Sequence, residues 1–518
     1  YDNNCFTSKN FPIQYDPETT CDIRMCQDAY YFTNETFEVE YYEYGNSCAD
    51  WLKIGTTKYC RHNNYYGLVV GQNPNSTGFV QDNTEIQFYT DYSLNYKGFQ
   101  LCFSSTLSPT TYPTASPTLS PTTSPTPLPD DMCQVGNPFV GEVYERLGRA
   151  VDISNEGNTI VFSEYEDSKG KVKVLEFENN AWVQRGDAFV GVHYNDVCGE
   201  SVSLSKNGSI VAFGCIGSDY NGTDSGHAEV WQFNDNTWEQ LGQRITGYPS
   251  SFSGYAISLS DDGTVIAIEA QYDDGNVDNA GRARVFRYEN GAWSQRGQDL
   301  FGEDESDKFG HDLSLSSDGT ILAVGAPYHP DEAVHGHVRV FQYENTNNTW
   351  NQLGTDIEGS NQDDQFGFAV SLSGDGATIA IGEIFKKDDS NNIVNTGAVY
   401  VYEFLDGNWQ RKGDIIHGLY AYGSFGHPVS LSKDGQTVAS QASGGDFNGT
   451  DSGHVMLHRY VNGEWVQIGK SIGGNTEGGS YGQVAISGNR IIVGFPESTE
   501  TSNGEVDVYE LCNSLSPT

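Results

Sequence analysis

The chain has 518 residues, with 28 Lys and Arg against 70 Asp and Glu, for a formal net charge of −42. That charge excludes electrostatic attraction to nucleic acid or to an anionic membrane surface, and no run approaches the roughly 18 apolar residues that a spanning helix needs. Aromatics make up 13% and Gly numbers 59 against 3 Met, a bias toward strands and turns and away from helices. The length allows two to four domains at roughly 150 residues each.

The first residue is Tyr1 and no signal peptide is visible, which implies a mature terminus or a leader already removed. Ten cysteines stand at Cys5, Cys21, Cys26, Cys48, Cys60, Cys102, Cys133, Cys198, Cys215 and Cys512, and none forms a Cys-x-x-Cys pair. Asn-x-Ser/Thr sequons occur at Asn34, Asn75, Asn207, Asn221, Asn347 and Asn448. An even set of cysteines beside six sequons implies a secreted, N-glycosylated, disulfide-bonded protein outside the cell.

Residues 1–104 alternate aromatic and polar side chains, as in Phe37-Glu-Val-Glu-Tyr-Tyr42 and Glu85-Ile-Gln-Phe-Tyr89, which predicts strands. The opening Asn10-Phe-Pro-Ile-Gln-Tyr-Asp-Pro, the run Cys48-Ala-Asp-Trp-Leu-Lys-Ile-Gly55 and the segment Ile86 to Phe99 resemble a CUB domain, a β-sandwich of about this size. The resemblance implies Cys5–Cys21 and Cys48–Cys60 bonds, which leaves Cys26 to pair with Cys102. It also implies one Ca²⁺ held by Glu43, Asp50 and Asp91, with hard carboxylate oxygens suited to that ion. Asp50 lies two residues after Cys48, where the family usually has three.

Residues 105–131 form the expected linker, and there is no charge between Ser105 and Pro129. Pro109, Pro113, Pro117, Pro121 and Pro125 recur every four residues, each followed by Thr. Proline fixes φ and removes a donor, so the segment forms neither helix nor central strand; an extended polyproline II rod is predicted. With three residues per turn, a four-residue repeat moves its face by a third of a turn each time. Sugars on Thr110, Thr114, Thr118, Thr122 and Thr126, on Ser108, Ser116, Ser120 and Ser124, or on the hydroxylated prolines would sheath the rod on every side. Residues 513–518 end Leu-Ser-Pro-Thr, the tetrapeptide of the linker, and start a second such segment.

Residues 132–512 repeat. Trp182, Trp238, Trp293, Trp350, Trp409 and Trp465 recur 55 to 59 residues apart. Each is followed by a two-residue phrase ending in glycine: Cys198-Gly199, Ser253-Gly254, Phe309-Gly310, Phe366-Gly367, Phe425-Gly426 and Tyr481-Gly482, with Leu147-Gly148 ahead of the first tryptophan. An alternating strand, a tight turn and a buried strand come next, most plainly in Leu313-Ser-Leu-Ser-Ser-Asp318-Gly319-Thr-Ile-Leu-Ala-Val-Gly325-Ala-Pro327, where Asp-Gly signals a hairpin. Four strands in each of seven repeats predict a seven-bladed β-propeller. The Phe-Gly…Gly-Ala-Pro phrase resembles the FG-GAP repeats of integrin α-subunit propellers. The Asp-rich DxDxDG loop of those blades is missing here, so integrin-type cation sites do not carry over.

The repeat register assigns four cysteines. The last repeat stops at Cys512 before its tryptophan-bearing outer strand, and Met132-Cys133-Gln-Val-Gly-Asn-Pro-Phe aligns with Trp182-Val-Gln-Arg-Gly-Asp-Ala-Phe. The N-terminal strand therefore completes the last blade, with Cys133 and Cys512 expected opposite each other. Cys198 takes the place of the phenylalanine in its pair and Cys215 follows Gly214, which makes them cross-strand neighbours.

Near-identical loops, Asp219-Tyr-Asn-Gly-Thr-Asp-Ser-Gly-His227 and Asp446-Phe-Asn-Gly-Thr-Asp-Ser-Gly-His454, offer Asp219/Asp224 and Asp446/Asp451 to Ca²⁺, but repeat inheritance with a glycosylated turn is the preferred reading. No GxSxG, HExxH or phosphate loop occurs, and no enzyme is expected. The leading expectation is a structural subunit of an extracellular filament or coat, self-assembled through modules and glycan-clad linkers and binding neither nucleic acid nor membrane. The linker style resembles that of secreted proteins of diatoms and related stramenopiles, mastigonemes being one such assembly. A cell-surface adhesion or lectin-like ectodomain comes second, and a secreted glycosidase third.

Overall fold

In the computed structural model the chain divides into two compact units, Tyr1–Ser124 and Pro125–Thr518. The structure describes nine strands within residues 5–104, by their backbone, and residues 131–512 apart from short loops at 142–145, 166–167, 276, 329–335, 361–363, 387–394, 445–452, 474–481 and 497–503. No helix occurs among the described residues, and none is long and apolar enough to cross a membrane.

The first unit holds two antiparallel sheets. One orders Cys5–Thr7, Gln100–Ser104, Ala29–Thr33 and Gly78–Val80; the other orders Thr20–Arg24, Glu85–Tyr89, Trp51–Ile54, Thr57–His62 and Leu68–Val70. The expected strand at Glu85–Tyr89 forms, whereas residues 37–42 lie outside the described residues. Backbone register sets Cys5 across from Cys102 and Cys21, in the other sheet, across from Phe88.

The second unit is a seven-bladed propeller of antiparallel sheets. Blade one runs from Val151–Ile153 through Thr159–Glu164 and Lys171–Glu178 to Ala181–Gln184, with the short strand Phe189–Val190 pairing back onto the third. Blades two to six repeat that order from Cys198, Ile257, Leu313, Phe366 and Phe425. Blade seven takes Val484–Ser487, Arg490–Phe495 and Glu505–Cys512 from the end of the chain and Asp131–Gln134 from its start. The second strand of nearly every blade is buried at each position, as in Thr159–Glu164, Val265–Ala270 and Thr378–Glu383. The core therefore lies between the blades.

Each feature of the repeat has a job at those interfaces. Every repeat tryptophan donates its indole N–H to a carbonyl of the preceding blade: Trp182 to Val135, Trp238 to Arg185, Trp293 to Leu241, Trp350 to Arg296, Trp409 to Leu353 and Trp465 to Lys412. Phe309, Phe366 and Phe425 are the largest fully buried side chains. At four interfaces the phrase glycine meets a glycine in the second strand of the preceding blade, Gly254 with Gly214, Gly367 with Gly325, Gly426 with Gly382 and Gly148 with Gly494; a Cβ on Gly325 would fall 2.1 Å from the Gly367 carbonyl oxygen, and one on Gly494 1.9 Å from that of Gly148, whereas Gly199 and Gly310 meet Ser163 and Glu269. Blade spacing at those four interfaces is thus set by backbone-to-backbone contact.

The alternating inner strand carries a second device. The hydroxyl of Ser203 accepts the N–H of Leu259 in the next blade; Ser258 accepts Leu315, Ser314 accepts Leu372, Ser371 accepts Leu431, and Ser430 accepts Ile486. In blade one the position is Asp152, whose Oδ2 accepts Leu204 N. In blade seven it is Ala485, which cannot accept, and Asp152 Oδ1 takes the N–H of Ile153 at that seam instead. One carboxylate therefore serves two places of the ring. Outside these, turn backbones join the blades in series, Asn155 N to Lys206 O, Lys206 N to Asp261 O, Asp261 N to Ser317 O, Ser317 N to Gly374 O and Gly374 N to Lys433 O.

Ser314→Ala would leave the buried Leu372 N–H without its acceptor, at a cost of about 1–3 kcal/mol. Denaturant melts of the Ser314→Ala and Ser430→Ala variants are expected to fall together by that amount. A change near zero in both would show that the ring of hydroxyls adds nothing.

Candidate functional site

The inner strands surround an axial cavity of about 220 Å³. Of the residues that follow each phrase glycine, Tyr255, His311, Phe368, His427 and Gln483 line it, and Arg149 and Glu200 are their counterparts in blades one and two. Their contacts run around the axis. Arg149 holds Glu200 in a two-point ion pair, with Nε to Oε2 at 2.8 Å. His311 stacks 4.1 Å from Phe368, and Phe368 sits 4.7 Å edge-on from His427. His311 Nδ1 lies 3.0 Å from the Phe368 carbonyl, an interaction that places a proton on Nδ1. The annulus is thus charged on one side and aromatic on the other.

Burial governs its titration. It lowers the imidazoles of His311 to about 4 and His427 to about 3, so both are neutral at neutral pH. Below them Asp312 accepts the N–H groups of Val370 and Leu313, yet burial outweighs those bonds and pushes its carboxyl up to about 7. Burial likewise moves Asp152 up to about 6 and Glu269 well above the usual carboxylate range.

A raised carboxyl has a definite sign in stability. Unfolded aspartate titrates near about 4, so the Asp312 contribution is complete below that pH and is lost as pH rises through about 7. Asp312→Asn removes this term and keeps an acceptor. The melting temperature of the unsubstituted protein minus that of the variant is expected to fall between about pH 5 and about pH 8. A difference that rises or stays flat would contradict the assignment.

The cysteines of the propeller are bonded as Cys133–Cys512 and Cys198–Cys215. The second pair lies directly across one ladder, at a bulge in the inner strand of blade two. The first differs from the expected register. Asp131 stands opposite Cys512, and Cys133 opposite Glu510, so the bond joins diagonal neighbours. The strand following the linker and the strand leading to residues 513–518 thus run side by side, tied within two residues of where each meets its flanking segment.

Asn207, Asn221 and Asn347 are exposed. Asn207 occupies the turn position held by Asp262, Asp318, Asp375 and Asp434 in other blades, and its Oδ1 accepts the N–H and hydroxyl of Ser209. Its Nδ2, the atom that carries an N-glycan, has no partner among the described residues. Asn221 Nδ2 donates to the Gly247 carbonyl at 2.8 Å. Asn34, Asn75, Asn448, the linker positions 108–126, Cys26, Cys48, Glu43, Asp50 and Asp91 lie outside the described residues, as do Asp446 and Asp451. Asp219 Oδ1 accepts the N–H of Asp224 within its own turn, and no group of three or more His, Cys, Asp or Glu among the described residues is arranged to hold a metal.

Two sets of residues were not anticipated from the repeat. One is the annulus itself, where seven blades present six residue types. The other is a cation in alternate blades, at Arg185, Arg296 and Lys412, each lying over a ring of the next blade: Phe233 at 4.4 Å, Tyr343 at 3.9 Å and Tyr460 at 5.2 Å. Each also donates to the turn glycine carbonyl of that blade, Gly208, Gly319 and Gly435. Leu241, Leu353 and Ile468 fill the position between them, so the cation's alternation was the available signal.

Residues 358–402 match the FG-GAP repeat. No curated protein matches the chain. Among solved structures the chain is similar to the Swd1 β-propeller domain from Myceliophteria thermophila, at 10% identity and TM-score 0.49 over 73% of this chain and 100% of that one. It is also similar to the periplasmic gluconolactonase PpgL of Pseudomonas aeruginosa, at 14% identity and TM-score 0.44 over 74% and 97%. TolB from Acinetobacter baumannii is similar at 12% identity and TM-score 0.37, over 62% and 65%.

Proposed function

We propose that the chain is a secreted structural glycoprotein, a subunit of an extracellular filament or coat that assembles through its modules and glycan-clad linkers. The observation that carries this reading is the seam of the propeller. The ring is closed by pairing its first strand with its last and by Cys133–Cys512, and the adjoining sequence on both sides is Ser/Pro/Thr text. A domain so closed is a bead on a strand. Its integrity does not depend on what the flanking segments do. The acidic surface supports contacts through sugars or Ca²⁺ over contacts between bare protein faces, since 70 acidic residues against 28 basic ones repel at short range. Glu43, Asp50 and Asp91 are the Ca²⁺ ligands in this reading, and residues 108–126 carry the O-linked sugars. No catalysis is assigned to the chain.

The FG-GAP match at residues 358–402 supports a second reading, a cell-surface adhesion ectodomain. Electron microscopy of the native material separates the two. A regular repeat with sugar density around Thr110 to Thr126, loosened by deglycosylation or by chelation, is the expected result. Discrete monomers with an unmodified linker would overturn the structural reading and leave the adhesion one.

A further inference from the structure

A cleft of about 450 Å³ opens where blade one meets blade two, within the range of small-molecule sites, about 300–1,000 Å³. It differs at one residue from the two interfaces that follow it. At the next interface Arg284 of blade three reaches back and donates to the Thr246 carbonyl of blade two at 2.9 Å. At the one after, Arg339 of blade four does the same to the Phe301 carbonyl of blade three. The counterpart in blade two is Glu229, two residues beyond His227 as Arg284 is beyond Arg282 and Arg339 beyond His337. A carboxylate cannot cap a carbonyl, and it is shorter than arginine. The space stays open and Val190, the counterpart of Thr246 and Phe301, is 57% exposed at its rim.

What fills the site instead is an anchored donor fork. Glu229 accepts from Trp231 Nε1 at 2.9 Å, from His227 Nε2 at 3.3 Å and from Arg244 Nε. Arg244 is thereby fixed, with its guanidinium 4.5 Å over the ring of Tyr220. Its two terminal nitrogens have no partner among the described residues. Counterparts of Arg244 in the neighbouring blades are Ala188 and Asp299, so the fork belongs to this interface. Phe189 lies 5.3 Å from Trp231 and 5.5 Å from Trp238, and all three rings are half-buried in the lining.

We infer that this cleft binds one neutral pyranose unit of a glycan, its apolar C–H face laid on the Trp231–Phe189–Trp238 cluster and adjacent hydroxyls taken by the free nitrogens of Arg244. The chemistry is selective on both counts. Ring faces and a fixed fork of donors match a molecule with an apolar face and a rim of paired hydroxyls. An acidic sugar is disfavoured by Glu229 and Asp187 in the lining and by the overall charge of −42. The inference does not rest on filament assembly, because the cleft is complete within one propeller.

The test titrates the purified full chain with the methyl glycosides of glucose, mannose, galactose and N-acetylglucosamine. Indole fluorescence and saturation-transfer NMR on the sugar protons are the readouts. At least one glycoside is expected to bind, and Arg244→Ala is expected to weaken it tenfold or more. The double variant Glu229→Arg with Arg244→Asp installs the residues of the next interface, where Arg284, which caps the Thr246 carbonyl, and Asp299 occupy these positions. It is expected to fold, fill the cleft and abolish binding. Repeating the titration after enzymatic removal of the protein's own N-glycans separates two sources. Tighter apparent binding identifies the protein's own N-glycans as the occupant, and unchanged binding identifies a foreign polysaccharide. No response to any of the four glycosides, or a folded double variant that binds as well as the unsubstituted chain, would overturn the inference.

Discussion

Replacing both Cys133 and Cys512 with serine is expected to open the propeller at blade seven and to remove more stability than any other pair of substitutions at its seam. The bond joins residues 379 apart in sequence, and chain entropy alone puts its loss at about 6 kcal/mol as an upper figure. The noncovalent seam that remains is uneven. Trp182 still donates to Val135, and Arg490 to the Gly157 carbonyl, but Ala485 supplies no hydroxyl to blade one. The variant should therefore lose blade seven before the other six, which a hydrogen-exchange experiment reads as early exchange in residues 484–512 and 131–140. Uniform exchange across all blades, with an unchanged denaturant midpoint, would show that the hydrogen-bonded strand pair closes the ring without help.

The second large effect is expected from one methyl group. Gly382 has no left-handed backbone to preserve, yet a Cβ there would sit 1.8 Å from the carbonyl oxygen of Gly426 in the next blade. The obstacle is backbone on both sides, so no rotamer relieves it and two blades must move apart. Gly382→Ala is expected to cost about 3–5 kcal/mol. Gly407→Ala is the control: nothing lies within 4 Å of its added Cβ, and φ is +84°, so the cost is conformational, about 1 kcal/mol. Urea midpoints of the two variants measure the difference. Equal shifts would mean that glycine in the repeat phrase is there for turn geometry and not for blade spacing.

These outcomes show which parts of the fold can be read from the chain. Trp238, Trp293 and their counterparts mark the blades because one hydrogen bond per blade depends on the indole, and such a requirement repeats at a fixed interval. The closing strand is legible because Cys133-Gln-Val-Gly copies the phrase after Trp182. Its register is not, since alignment names the partner strand but not which residues face each other, and the diagonal placement of Cys133 against Glu510 depends on the ladder itself. The annulus escaped because Arg149, Glu200, Tyr255, His311, Phe368, His427 and Gln483 share a position but no common chemistry. The cleft escaped for a stronger reason. Glu229 is an ordinary acid in a very acidic chain, and its meaning emerges only beside Arg284 and Arg339, once the structure shows what those arginines fill. The first-unit cysteines and acids, by contrast, were read from family likeness, and the described strands there provide backbone pairing alone.

The seam also fixes how much contour the domain contributes to a thread. Unfolded, the residues between Cys133 and Cys512 would extend on the order of 1,200 Å or more. Folded and bonded, the path enters at one cysteine and leaves at the other across a Cα–Cα gap of 5.9 Å. In the filament proposed above, the propeller would be a pendant with almost no length of its own. Tension between the flanking Ser/Pro/Thr segments would pass through the edge of blade seven and one sulfur bridge and leave the other six blades unloaded. Under that proposal, inserting or deleting one proline tetrapeptide would change the spacing along the thread while the propeller stays as it is.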